Sequence, residues 1–296
     1  MSAPPSAIRI PFNKPFLVGT EFGYISEAIS FGHTAGDGPF SRKCSDILAE
    51  LIGAPRVLLT TSCTDALEMS AMLLNSAGDE VIVPSFTFVS TANAFAVHGV
   101  KPVFVDIRPD TLNIDERLIE AAITERTRAI VVVHYAGVAC RMDEILAIAR
   151  GRGIEVIEDN AHGLFASYRG RPLGAFGALA TQSFHETKNV ICGEGGALVV
   201  NDPALIERAE IIREKGTNRT RFYRGQVDKY TWVDFGSSYL PSDILAAYLY
   251  GQLMARRRIQ AARKRIWDFY DSELASWAEA NDVRRPVVPE DCEQPY

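Results

Sequence analysis

Cysteine is scarce and unpatterned. The five present (Cys44, Cys63, Cys140, Cys192 and Cys292) show neither a CxxC pair nor cysteine–histidine ligand spacing. Their scatter gives no metal site and suits free thiols in a reducing compartment. No apolar run reaches the roughly 18 residues that a membrane-crossing helix needs. An excess of positive charge is missing too. The 31 Lys+Arg against 37 Asp+Glu leave a net charge of −6, which argues against nonspecific binding to nucleic acid. The one basic cluster, Arg256-Arg257-Arg258 with Arg263-Lys264-Arg265, reads as the solvated face of a helix. Met1 to Pro15 holds four prolines and no apolar segment of the kind a secretory leader carries. No G-x-G-x-x-G follows an apolar run, which leaves a nicotinamide-binding fold without its fingerprint. The expectation is a cytoplasmic protein with no membrane or nucleic-acid partner.

What is present is ordinary globular material, 47% hydrophobic and 23% charged over 296 residues, enough for one large domain or a large and a smaller one. From about Arg56, short apolar runs alternate with helical patterns. The runs are Val57–Leu59, Val81–Val83, Pro102–Val105, Ala129–Val133, Ile154–Ile157 and Ala197–Val200. Helical patterns lie around Leu67–Leu73, Ser90–Val97, Leu118–Ile123, Met142–Arg150 and Leu205–Glu214. This alternation predicts a mainly parallel sheet covered on both faces, an α/β class. Thr217–Asp228, with Arg219, Arg221 and Arg224, reads as a loop. A single long helix is expected from about Ser242 through Ala255 and Trp267 to about Trp277. Domain boundaries are drawn at 1–250 for a large domain and 251–296 for the start of a smaller one.

Parallel sheets bind ligands beyond the carboxyl ends of their strands, so the residues just after each run matter most. Ser183-Phe184-His185-Glu186-Thr187-Lys188-Asn189, followed by Gly193-Glu194-Gly195-Gly196, places one lysine between an apolar run and a glycine turn. Glu158-Asp159-Asn160-Ala161-His162 ends another run. A lysine and an aspartate at one sheet edge match the needs of pyridoxal phosphate. The amine holds the aldehyde as a Schiff base, and the carboxylate keeps the ring nitrogen protonated. Asp159 at the end of a buried strand costs several kcal/mol unless a cation partners it; a buried salt bridge is the alternative. Thr60–Ala66 offers small hydroxyl residues at a helix start, fit for a phosphate or for a plain N-cap by Ser62 or Thr64. Phe88 could stack on a pyridine ring, although a core phenylalanine is the simpler assignment for it alone. His162 could bond the cofactor's phenolic oxygen or be a satisfied core histidine. Lys188 by itself would be a solvated lysine. The argument rests on the features arriving together.

These stretches, with Ser62-Cys63-Thr64 and Pro84-Ser85-Phe86-Thr87-Phe88-Val89-Ser90-Thr91-Ala92-Asn93, resemble the DegT-type sugar aminotransferases, which are fold type I pyridoxal phosphate enzymes. The resemblance runs from Ile10 to about Trp277. It implies Lys188 as the cofactor lysine and proton shuttle, Asp159 on the ring nitrogen, and Phe88 on the ring face. It also implies His162 near the phenolic oxygen, with Cys63, Thr64 and Ser183 on the phosphate. The substrates it implies are L-glutamate and a nucleotide-linked keto sugar aminated at C4. The assembly it implies is a homodimer with shared sites. Gly236-Ser237-Ser238-Tyr239 falls where many relatives supply an asparagine to the neighbouring phosphate; serines stand there instead. Such relatives continue with a further stretch of small domain, and the expectation is that lid and substrate contacts lie beyond Tyr296, leaving apolar surface exposed. Two other readings were weighed. A same-fold sugar dehydratase would carry histidine at Lys188, and a non-catalytic relative would bind the cofactor without turnover.

Overall fold

The computed structural model describes residues 11–74 and 76–296; the segment Met1–Ile10 lies outside them. Its centre is a seven-stranded sheet. The strands are β1 (Arg56–Thr60), β2 (Glu80–Pro84), β3 (Lys101–Val105), β4 (Thr127–Val133), β5 (Glu155–Asp159), β8 (Leu179–Ser183) and β9 (Gly196–Val200). Between β5 and β8 lie two short strands, β6 (Ser167–Tyr168) and β7 (Arg171–Pro172), which form a small separate sheet with β10 (Cys292–Glu293). The large sheet has the order β1-β9-β8-β5-β4-β2-β3. Pairings of β2, β3, β4, β5 and β8 are parallel, whereas β9 runs antiparallel to both β1 and β8. The mainly parallel expectation therefore holds, with one reversed strand. Pro102, which can donate no ladder bond, falls on the edge strand β3, where its missing N–H costs least.

Helices cover both faces: α1 (Glu21–Ser30), α2 (Pro39–Ile52), α3 (Cys63–Leu74), α4 (Val89–Ala96), α5 (Glu116–Ala122), α6 (Met142–Arg152) and α7 (Ile206–Arg213). They are followed by α8 (Arg219–Tyr223), α9 (Asp243–Met254), α10 (Arg256–Glu273) and α11 (Ala275–Ala280). Strand pleat sorts the core, since successive side chains point to opposite faces. Val57 and Leu59 pack with Phe40, Leu48 and Leu249 from α2 and α9. Leu58 between them joins Leu67 and Met69 of α3 on the other face. Ile130 and Val132 meet Met142 and Ile145 of α6. Helix ends follow local chemistry. Pro39 opens α2 and Gly53, at φ 78°, closes it. The buried Asp243 caps α2 from outside, accepting the Phe40 and Ser41 N–H groups at 3.2 and 2.7 Å.

Two expectations need correcting. Thr217–Asp228 is not simply a loop, because it contains α8. Two of its arginines pin it to α7, Arg221 meeting Glu207 at 2.9 Å and Arg224 meeting the buried Glu210 through two bonds, while Arg219 meets Glu214 just past that helix. The long helix is three helices, broken at Ala255 and Leu274. Neither break carries glycine or proline. The first falls where α9, buried on most sides, gives way to α10, whose one buried residue is Ile259. The basic cluster lies on that exposed helix, as expected. No helix among the described residues is long and apolar enough to cross a membrane.

Candidate active site

Asp159 is the last residue of β5 and lies in register with Val133 on one side and Thr181 on the other. Its carboxylate is 5% exposed. Oδ2 accepts the Thr91 hydroxyl at 2.7 Å and Oδ1 accepts the Ala161 N–H at 3.3 Å. Neither partner is a cation, so the salt-bridge alternative is not what stabilises this buried anion. Lys188 follows β8 in the segment between β8 and β9. That segment is folded by its own backbone: the Phe184 N–H meets Gly195 O, the Glu186 N–H meets Gly193 O, and the Lys188 N–H meets His185 O. Lys188 is half-buried. Burial pushes its ammonium below the ordinary lysine range, and nearby Cys63 and Asp159 offset part of that. A lysine that gives up its proton readily is a better nucleophile toward a carbonyl. The expectation of a plain solvated lysine does not survive.

His162 is half-buried beside these two. Its Nδ1 accepts the Ala136 N–H at 3.2 Å, which leaves Nε2 to carry the proton of the neutral ring. Ala136 makes this bond from a left-handed conformation at φ 52°. Burial first and Lys188 second hold His162 below the usual histidine range, so the ring is a neutral donor at physiological pH. Tyr135 stands edge-on to it with centroids 5.8 Å apart.

On the other side of Asp159, the N-termini of α3 and α4 converge. Ser62 takes the capping role, its Oγ accepting the Asp65 N–H at 3.0 Å. Thr64 bonds Ser90 at 2.8 Å and joins the two first turns. Cys63 Sγ lies 3.4 Å from Thr181 Oγ1, and burial pushes its thiol well up. Ser183 ends β8, half-buried. A Cβ added at Gly196 would run into the backbone of Ser62 and Cys63, so β9 can approach this turn only with glycine there. Phe88 is not a core residue: it is 74% exposed at the N-cap of α4. Ser237 and Ser238 are exposed.

Sequence reasoning passed over three parts of the site. Thr87 and Thr91 were inside the quoted motif, and their four-residue spacing at a helix start was the available signal. The Tyr135–Gly137 turn had none. The third is Glu158, fully buried, whose carboxylate accepts the N–H groups of Gly174, Phe176 and Gly177 at 2.8, 2.6 and 2.8 Å and His134 Nε2 at 2.9 Å. His134 Nδ1 accepts the Cys140 N–H at 3.2 Å, so this histidine is neutral and donates from Nε2. Glu158→Ala leaves four buried donors without an acceptor. We expect a stability loss of about 3 kcal/mol, read by urea denaturation; a loss below about 1 kcal/mol would show that water takes the carboxylate's place.

A model of the DegT/DnrJ/EryC1/StrS aminotransferase family matches residues 17–291. The chain belongs to that family. DegT-type aminotransferases use pyridoxal 5'-phosphate, and the α/β sheet described above is their fold type I architecture. The uncharacterized protein MJ1066 of Methanocaldococcus jannaschii is 39% identical over 241 residues, 80% of this chain and 62% of that protein. The chain thus spans less than two thirds of that curated relative. The aminotransferase TlmJ of Streptoalloteichus hindustanus superposes with a TM-score of 0.86 at 30% identity, covering 96% of this chain and 76% of that one. The PLP form of Spr1654 from Streptococcus pneumoniae gives 0.85 at 27%, with the same coverage of each. The DegT-family cofactor fits the residues present: a buried carboxylate without an ion-pair partner among the described residues, a desolvated lysine beside it, and a neutral histidine donor. Hydroxyls at the start of α3 and an uncovered aromatic complete the set.

Proposed function

We propose that the chain is an aminotransferase that moves the amino group of L-glutamate to C4 of dTDP-4-keto-6-deoxy-glucose. The products are 2-oxoglutarate and dTDP-4-amino-4,6-dideoxygalactose, a building block for surface polysaccharide of the enterobacterial common antigen or O-antigen type, made in the cytoplasm. The observation that carries the reaction class is the meeting of Asp159 and Lys188 at one sheet edge. The choice of sugar is supported by sequence likeness of Phe86–Phe95, Val105–Thr124, His134–Cys140 and Ala209–Trp232 to the transaminase that makes that product.

Bound pyridoxal 5'-phosphate supplies a ring that accepts the electrons of the bond being broken at the amine-bearing carbon. This chain's residues do the rest. Asp159 holds the proton of the ring nitrogen, and its buried carboxylate gains there the cation it lacks among its own hydrogen bonds. Lys188, readily neutral, takes a proton from Cα of the donor and returns one at C4 of the sugar. His162 donates from Nε2 toward the phenolic oxygen. Cys63, Thr64 and Ser183, with the first turn of α3, hold the phosphate. Phe88 covers one ring face and limits water there. We assign this machinery to residues 1–250 and take 251–296 as belonging to a smaller domain.

The large exposed apolar side chains Phe88, Val89, Trp232 and Phe235 support a homodimer with shared sites, since such surface is commonly covered by a partner. Light scattering that shows a monomer of the cofactor-loaded protein would count against it. The deciding assay supplies cofactor, L-glutamate and the dTDP-keto sugar together. Equal amounts of 2-oxoglutarate and aminated nucleotide sugar are expected. Cofactor amination by glutamate with no sugar product would overturn the substrate but leave the reaction class standing.

The lowered proton affinity of Lys188 gives a pH prediction. Its amine must be neutral to capture the cofactor aldehyde, so the loading rate of the apo-protein rises with pH. The midpoint should lie below the ordinary lysine range, because burial is the largest influence. Stopped-flow absorbance over a pH series reads it; a midpoint at or above the ordinary value would mean that water reaches the ammonium freely.

A further inference from the structure

Asp159 is gripped on one side by hydroxyls to which no family role has been assigned above. Thr91 is fully buried, and its Oγ1 lies 2.7 Å from Asp159 Oδ2. Thr87 Oγ1 lies 2.7 Å from Thr91 Oγ1. The direction of this chain follows from proton counting. An ionised carboxylate only accepts, so the single hydroxyl proton of Thr91 goes to Oδ2. Thr91 then has none left for Thr87, and Thr87 must be the donor in the second contact. Two aligned links polarise one another in the same sense.

We propose that Thr91, backed by Thr87, is a positioning residue for the reaction, fixing Asp159 as an oriented anion and leaving Oδ1 as the oxygen available to the ring nitrogen. Oδ1 has only the longer 3.3 Å contact with the Ala161 N–H, whereas Oδ2 is taken. The same two threonines flank Phe88, and the Thr91 N–H closes the first turn of α4 on Phe88 O at 3.1 Å. One helix start therefore sets both the residue assigned to the ring face and the carboxylate assigned to the ring nitrogen. A hydrogen bond to the charged form keeps a carboxylate acidic. Losing it lets the Asp159 carboxylate turn, so that Oδ1 is no longer presented in one orientation. The inference rests on the cofactor reading given above.

The test compares Thr91→Val, Thr91→Ser and Thr87→Val as cofactor-loaded proteins. Two quantities are read: the pH titration of the bound cofactor's visible band, without donor, and the pH profile of kcat. Thr91→Val keeps the shape and removes the proton. Its kcat should fall about tenfold with the glutamate KM changed less than about twofold, the pattern of a group that acts in the transition state. The visible band and the pH profile should both depart from those of the wild type. Thr91→Ser restores both, and Thr87→Val moves both in the same direction by less. Thr91→Val with wild-type rate and an unmoved pH profile overturns the proposal. So does a loss shared equally by Thr91→Ser, which would mark a packing role. Should Thr91→Val not fold, a Thr87→Val profile identical to wild type overturns it. Wild-type protein that takes up no cofactor defeats the functional reading itself. Normal wild-type loading beside an unaltered Thr91→Val defeats this inference alone.

Discussion

Lys188→Ala is expected to remove turnover by about four orders of magnitude, the scale set by losing both the covalent amine and the proton carrier. The fold should not suffer. Lys188 Nζ is desolvated and gains from Asp159 and Cys63 only part of what burial costs it. Alanine relieves that penalty, so the apo-variant should melt at or slightly above the wild-type temperature. Cofactor added to the variant should show none of the absorbance of the lysine-bound form. A variant that still transaminates glutamate at the normal rate would remove Lys188 from the centre of the mechanism.

Asp159→Asn has the second largest expected effect. The amide keeps nearly the same volume and can still accept from Thr91 through its oxygen. It cannot carry the negative charge that holds a proton on a ring nitrogen. The loss of one member of a buried charge pair is worth about 3–5 kcal/mol, which corresponds to a fall in kcat of roughly 10²–10⁴-fold. Steady-state kinetics with L-glutamate, alongside the spectrum of the bound cofactor, would measure it. Rates near wild type would mean that the carboxylate has another task, such as holding Thr91 and the start of α4.

Much of this is legible in the sequence. The strands announce themselves because a strand buried on both faces must be continuously apolar, as Ala129–Val133 is. Lys188, Asp159 and His162 stand out because polar residues directly after such runs land at one edge. What escaped was set by distant partners. The reversal of β9 is decided by pairing with β1 and β8, and nothing within Gly196–Val200 declares it. The helix α8 exists because arginines reach acids on α7, and its own sequence reads as a loop. The break at Ala255 has no glycine or proline to mark it. Phe88 taken alone reads as core, since an aromatic written after an apolar run gives no sign of facing water. The threonine pair was visible as letters but not as a contact, because Asp159 lies 68 residues from Thr91.

Glu158 and Asp159 are neighbours with the same charge and opposite destinations. The pleat of β5 sends one into a closed nest of backbone N–H groups and the other to the open edge. A slip of one residue one way would bring Asp159 to the nest and Asn160 to the edge; a slip the other way would bring Ile157 to the nest and Glu158 to the edge. The second slip faces four donors with an isoleucine and fails on hydrogen bonding alone; the first keeps a carboxylate in the nest, so charge does not reject it. Side-chain length does. The nest is shaped for a carboxylate one methylene further from the backbone, and four donors close on it only in the correct alignment. The glutamate thus acts as a ruler for the strand, and placing the aspartate to within a hydrogen-bond length is the result of that measurement.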